Sequence, residues 1–145
     1  MLQFEQSVHQ RMLQDGIRSF PDECCGFLLG SEDEQGNRTI THLIVVDNAK
    51  EGDKRRRFVI SPGDYLKAEL FAEEKELILL GIYHSHPNHP AIPSEHDRLA
   101  AQPYFSYVII SVMNGEPAAI RSWRLNEQEH FDEETISENQ FVNQQ

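Results

Sequence analysis

The sequence predicts an α/β domain, a mixed β-sheet with helices packed against it. Three observations carry this. The chain opens on an amphipathic helical stretch. Runs rich in β-branched residues then alternate with two further helical segments. Leu77–Tyr83 is almost wholly apolar, as a strand covered on both faces must be. The order along the chain, α-β-β-β-α-β-α-β-β, has no internal repeat and no linker.

Each element has its own local reason. Over residues 5–19, Phe4, Val8, Met12, Leu13, Ile17 and Phe20 recur at helical spacing, and Pro21 ends the helix. Cys24–Leu29 reads as a buried strand closed by Gly30, and Ser31–Asn37 as a polar turn. Thr39–Val46 is a second strand, Asp47–Arg57 a loop and Phe58–Ile60 a short strand. Ser61 suits a helix cap, Pro62 the first helical position and Asp64 the first turn. That helix runs to about Lys75, with Tyr65, Leu66, Ala68, Leu70 and Phe71 offered to the core. Pro87, Pro90 and Pro93 stiffen the loop after the central strand, and residues 94–101 form a short helix. Tyr107–Val112 and Ala118–Leu125 make two more strands around Asn114-Gly115-Glu116-Pro117.

At 145 residues the chain is expected to form one domain with a real core. Its net charge of −11 argues against a nucleic-acid binder, which needs a basic face. The one basic run, Lys54-Arg55-Arg56-Arg57, reads as a solvated loop; its functional alternative is a docking patch for an acidic protein partner. No apolar run approaches a membrane span, and residues 1–20 are too polar for a signal peptide, so a cytoplasmic location is expected. Residues 126–145 form an acidic polar C-terminal segment that is expected to fray. Cys24 and Cys25 are adjacent, and vicinal disulfides are strained. Free thiols in a buried strand are the preferred reading over a catalytic thiol.

The chemistry concentrates in His84-Ser85-His86-Pro87 and Ser94-Glu95-His96-Asp97. On a strand, His84 and His86 point to the same side. Two neutral imidazoles and a carboxylate can hold a zinc ion and leave a fourth position for a water, which becomes a nucleophile at neutral pH. The structural alternative is that the histidines are surface residues and that Ser94-x-x-Asp97 is a helix capping pattern. Other His-x-His metal sites do not fit. A metallo-β-lactamase pattern would need Asp where Asn88 stands, and no Pro-Cys-x-x-Cys or His-Glu-x-x-His is present.

These residues resemble the JAMM (MPN+) metalloproteases, whose signature is an upstream glutamate, His-x-His, seven residues, Ser, two residues and Asp. Pro21-Asp22-Glu23-Cys24-Cys25-Gly26-Phe27-Leu28-Leu29-Gly30 is similar to the family's Pro-x-Glu-x-x-Gly-x-Leu-x-Gly segment. The similarity spans roughly residues 5–125 and is greatest to small stand-alone prokaryotic members, which makes 1–125 the JAMM/MPN domain. The resemblance implies a cytidine-deaminase-like α/β sandwich. It implies Zn²⁺ on His84, His86 and Asp97, with Glu23 as general base and Ser94 as oxyanion donor; His89 and His96 match no ligand. The substrate it implies is an amide or isopeptide bond after the C-terminal Gly-Gly of a ubiquitin-like or sulfur-carrier protein, whose extended tail adds to a sheet edge near the zinc. A zinc hydrolase of small-molecule amides and a noncatalytic MPN-type binding module are the alternatives.

Overall fold

The computed structural model describes residues 1–137. Ten elements follow in chain order: β1 (Leu2–Phe4), α1 (Gln6–Ser19), β2 (Cys25–Glu32), β3 (Arg38–Val46), α2 (Pro62–Lys75), β4 (Ile78–Pro87), α3 (Glu95–Ala100), β5 (Ser106–Met113), β6 (Glu116–Leu125) and β7 (Phe131–Glu134). The strands form one mixed sheet in the order β1-β3-β2-β4-β5-β6-β7. β1 with β3 and β4 with β5 are parallel; the other neighbours are antiparallel. The mixed sheet with flanking helices is the predicted fold class.

Alternation along the central strands builds two cores. Leu28, Leu80, Tyr83, Val108 and Ile110 face α1, where Val8 and Met12 meet them. Phe27, Leu29, Ile82 and Tyr107 face the other way, onto Ala68 and Ala72 of α2. A bulge at Leu80 interrupts the alternation of β4, since Leu28 pairs with Gly81 but Leu29 with Leu79; beyond it the period of two turns Ile82, and the histidines that follow, toward α2. Small alanines on α2 let it lie close to the sheet, whereas Leu66 and Leu70, expected in the core, are exposed. Ile17 of α1 is exposed as well.

Three differences from the sequence reading have physical causes. β1 is only three residues long, too short to announce itself, and pairs with β3 through Leu2↔Arg38 to Phe4↔Ile40. Phe58–Ile60 is not a strand of the sheet. The Val59 amide donates to Asn48 Oδ1 (3.0 Å) and its carbonyl accepts from Ala49 (2.8 Å), so its pairing is used up within the loop. The described part of the segment after position 126, residues 126–137, pairs with the sheet instead of fraying. β7 pairs with β6, and Leu2 bridges Ile136, joining the two outer strands of the curled sheet. The rest of the expected acidic segment, residues 138–145, lies outside the described residues.

Glu134 anchors that last strand. It accepts hydrogen bonds from Ser106 Oγ (2.8 Å) and Ser122 Oγ (3.0 Å). Beside it the fully buried Arg38 donates to Glu32 (2.9 Å), the Leu80 carbonyl (3.2 Å) and Ser106 Oγ (3.0 Å). A buried guanidinium is tolerable only with such partners.

Close packing also fixes where β2 meets β4. A Cβ on Gly26 would lie 2.3 Å from the Ile44 carbonyl oxygen and 2.4 Å from the Tyr83 ring. Tyr83 cannot retreat easily, because its hydroxyl donates to the buried Asp15 of α1 (2.8 Å). Overpacking of this kind costs about 1–3 kcal/mol or more. Gly26→Ala should therefore lower the melting temperature by roughly 4–10 °C in a domain of this size, read by circular dichroism. An unchanged melting temperature would mean that β2 and β3 part without penalty.

Candidate metal centre

β4 carries the site because it continues as a strand past Tyr83. In the parallel ladder with β5, His84 pairs with Ile109 and His86 with Ser111. Both imidazoles lie on the Ile82 face and are buried, His84 at 1% and His86 at 8% exposure. Phe58, from the loop before α2, stacks on the His84 ring with centroids 4.5 Å apart and 26° between planes.

The third ligand, a carboxylate, arrives through the proline-rich loop. Asn88 adopts a left-handed conformation (φ 58°), and its amide donates to the Val112 carbonyl (2.7 Å). Ser111 Oγ donates to the His89 carbonyl (2.6 Å), and Trp123 Nε1 to that of Ala91 (3.0 Å). The loop is thus pinned to β5 and β6 before α3 begins. Ser94 caps α3 by accepting from the Asp97 amide (3.0 Å), and Asp97 Oδ2 accepts from the Ser94 amide (2.9 Å). The expected cap is therefore present as a reciprocal capping box.

That same Oδ2 lies 3.2 Å from His86 Nε2 and 3.4 Å from His84 Nε2, and the two Nε2 atoms are 3.1 Å apart. These three residues form a group able to hold a metal ion. His86 Nδ1 is 2.8 Å from the Pro90 carbonyl, which can only accept. The proton therefore sits on Nδ1, and Nε2 presents a lone pair to the cluster. His84 Nδ1 has no hydrogen-bond partner among the described residues. Burial lowers the His84 pKa and keeps the ring neutral. At Asp97, burial acts to raise the pKa, but the neighbouring histidine side chains and the Ser94 amide outweigh it and favour the carboxylate. Two imidazole nitrogens and a carboxylate oxygen thus face one another at 3.1–3.4 Å, an arrangement that a small cation satisfies.

Glu23 stands just before β2 and is 5% exposed. Its amide donates to the Lys54 carbonyl (2.7 Å), and its own carbonyl accepts from Asn48 Nδ2 (3.2 Å). Its Oε1 has no partner among the described residues. Burial, with the negative charge of Asp97 added, pushes this carboxyl up to about 9. Glu23 shares a pocket with His86 and Ser94, so all five residues singled out in the sequence gather in one region. His89 is exposed and His96 lines the neighbouring cavity; neither belongs to the three-residue cluster. Cys24 and Cys25 are buried and free. Burial raises both thiols, Cys25 to about 12, which leaves no thiolate for catalysis.

One organising residue was not legible in the sequence. Asn48 bonds Glu23 and Arg57 through Nδ2 (3.2 and 3.0 Å) and Lys50 and Val59 through Oδ1 (3.0 Å each). An Asp-Asn pair after a strand signals only a turn.

With this geometry in place, relatives are informative. Residues 5–126 match the family described as prokaryotic homologues of the JAB domain, and the chain belongs to that family. It is 33% identical over 115 residues to the CysO-cysteine peptidase of Mycobacterium tuberculosis, covering 79% of this chain and 75% of that one. It is 30% identical over 120 residues to the desampylase of Pyrococcus furiosus, covering 83% and 79%. A solution structure of a Desulfitobacterium hafniense protein superposes with a TM-score of 0.82 at 29% identity, over 94% of this chain and 92% of that one. Among the described residues, no helix is long and apolar enough to cross a membrane.

The Glu23 shift has a consequence for the metal-free protein. Between about 4.5 and 9 the folded state keeps a proton that the unfolded chain has lost. The folded state then binds more protons, so stability falls as pH rises through this window, by up to about 1.4 kcal/mol per pH unit. Glu23→Gln cannot titrate. With metal chelated, urea denaturation should show the variant gaining on the native protein from pH 5 to 9. Parallel stability curves would show that Glu23 ionises normally.

Proposed function

We propose that the protein is a zinc-dependent metallopeptidase acting in the cytoplasm on the amide bond after the C-terminal Gly-Gly of a ubiquitin-like or sulfur-carrier protein. One observation carries the reading: His84 Nε2, His86 Nε2 and Asp97 Oδ2 converge within 3.4 Å of one another beside the unpaired carboxyl of Glu23. Zinc bonds of about 2.0–2.2 Å place tetrahedral ligands roughly 3.3–3.5 Å apart, close to these spacings. Nitrogen and carboxylate donors suit that ion. The names of the mycobacterial and archaeal relatives, a peptidase and a desampylase, support hydrolysis, and the former names a cysteine conjugate of CysO. The free thiols Cys24 and Cys25 fit a reducing compartment.

Each side chain has a task. A zinc ion on the three ligands would supply a Lewis acid that lowers the pKa of a water toward about 7, polarises the scissile carbonyl and favours the carboxylate form of Glu23. Glu23 takes a proton from the attacking water and returns it to the leaving nitrogen. Ser94 Oγ is held in place by the Asp97 amide it accepts from (3.0 Å), which leaves its own O–H to donate to the developing oxyanion. One such donor is worth about 3 kcal/mol. His86 is held by Pro90 and His84 by the Phe58 ring. On the His84 and Asp97 side lies a cavity of about 360 Å³ lined by Phe58, Ile60, Tyr65, Ile82, Tyr107 and Ile109, a dry wall for the acyl part of a substrate. Exposed Val59, Ile92 and Ser94 rim this region, which favours access by a protein tail over a sealed small-molecule pocket. Retention of all three ligands and Glu23 weighs against a noncatalytic module.

Purified protein should contain about one zinc per chain by atomic emission, and His86→Ala should lose it. Stoichiometric zinc in His86→Ala would sink the ligand assignment. Glu23→Gln should keep the zinc and the fold while turnover of a Gly-Gly-X tail falls about 10²–10⁴-fold. Undiminished turnover would hand the base role to another residue.

A further inference from the structure

We infer that Arg56, assisted by Arg55, binds the free α-carboxylate of the residue released, so that the enzyme removes a terminal residue in preference to cleaving an internal peptide bond or a lysine isopeptide link. This rests on the function proposed above.

The site has two unlike sides. The cavity beyond His84 and Asp97 is almost wholly apolar and has no cationic residue other than histidine in its lining. The pocket on the other side, about 400 Å³, is lined by Glu23, His86, His89 and Ser94 together with Arg55 and Arg56. Glu23 hands its proton to the leaving nitrogen, so the leaving residue must occupy the pocket that Glu23 shares. In an amino acid leaving group the carboxylate carbon is two bonds of about 1.5 Å from that nitrogen. The carboxylate therefore falls in the arginine-lined pocket. A lysine side-chain leaving group carries its charge-bearing backbone much farther away, and an internal peptide bond offers a neutral carbonyl.

The backbone on either side of the two arginines is tied to Glu23. The residue before them, Lys54, accepts the Glu23 amide (2.7 Å), and Asn48 ties Glu23 to Arg57 on the other side (3.2 and 3.0 Å). Arg55 is braced by Asp53, through its amide (2.9 Å) and its Nε (3.1 Å), which neutralises part of its charge. Arg56 has no hydrogen bond or ion pair among the described residues. In a chain of net charge −11, an unpaired guanidinium beside a buried acid is a place kept for an anion, and a planar guanidinium matches a carboxylate. The basic run thus recognises one small anion at the site; no acidic protein surface is required.

The test uses the zinc-loaded full chain and a carrier-tail peptide ending Gly-Gly-Ala, supplied as the free acid and as the C-terminal amide. The free acid should be cleaved with kcat/KM about two- to fivefold above the amide, mainly through KM, as an exposed charge contact allows. Arg55→Ala/Arg56→Ala should bring that ratio close to one with an unchanged melting curve, and Arg56→Lys should retain part of it. Calorimetric binding of both peptides to Glu23→Gln, with and without the arginines, reads the same preference without turnover. Equal rates for acid and amide in the native protein, or a preference that survives loss of both arginines, overturns the inference. If neither peptide is cleaved, the hydrolase reading falls, and binding decides alone. An acid preference lost with the arginines upholds the carboxylate site, and equal binding removes it.

Discussion

The antiparallel pairing of β2 with β4 sets the spacing of the chemical groups at the site. Cys25 pairs with His84, and Cys24 and Ser85 are joined by two hydrogen bonds, from the Ser85 amide to the Cys24 carbonyl (3.2 Å) and from the Cys24 amide to Ser85 Oγ (2.8 Å). Continuing that register one step beyond the ladder puts Glu23 opposite His86. A slip of one residue would turn His84 and His86 into the α1 core and Tyr83 toward α2. Gly26 and Tyr83 guard against the slip, since the ring occupies the space that any side chain at position 26 would need. The Tyr83 hydroxyl is in turn fixed by Asp15, which Arg18 pairs from the helix surface. Placement of Glu23 against the metal ligands is therefore a property of the sheet and not of a loop.

The molecule treats buried polar groups differently in two places, and the contrast marks which place is functional. Around Arg38 almost every polar group finds a partner: Glu32, Leu80, Ser106, Glu134 and Ser122 close a network, and the Tyr104 ring lies 4.3 Å from the guanidinium carbon. Only Nη2 is left over there. At the candidate centre, Glu23 Oε1 and His84 Nδ1 are both buried without partners among the described residues, and three ligand atoms crowd together. Leaving a buried polar group unpaired costs about 1–3 kcal/mol. A protein keeps such a cost where a ligand or a reaction removes it.

Much of this was legible in the sequence because it is encoded locally. The apolar run before His84, the His-x-His alternation, the Ser-x-x-Asp cap and the Ser61-Pro62 helix start each depend on neighbours in the chain, and each appears where expected. What escaped depends on distant partners. Leu2–Phe4 becomes a strand only because β3 lies beside it. Phe131–Glu134 reads as acidic coil, yet two serines from β5 and β6 give Glu134 its place. Phe58–Ile60 has strand-like residues, but Asn48, ten or so positions earlier, takes its central amide. Nothing in the sequence sets Arg38 apart, yet it is fully buried. The nearness of Arg56 to Glu23 follows from one backbone hydrogen bond across the fold.

The capping box on α3 shows why a structural and a catalytic reading of one motif need not compete. α3 has six residues and none of them is buried, so packing alone does not hold it against the sheet. Its position comes from the Ala91 and His89 carbonyls upstream, from Arg98 bonding the Glu129 carbonyl (3.0 Å), and from the cap itself. The cap uses Asp97 Oδ2 as acceptor for the Ser94 amide, and that bond selects the rotamer that aims Oδ2 at both imidazoles. It uses only a lone pair of Ser94 Oγ and leaves the hydroxyl proton free. Ser94 and Asp97 thus orient each other by backbone bonds, and each keeps the atom that chemistry requires. The three-residue spacing that makes a good helix start is for this reason also the spacing that brings a carboxylate and a hydroxyl to one metal centre.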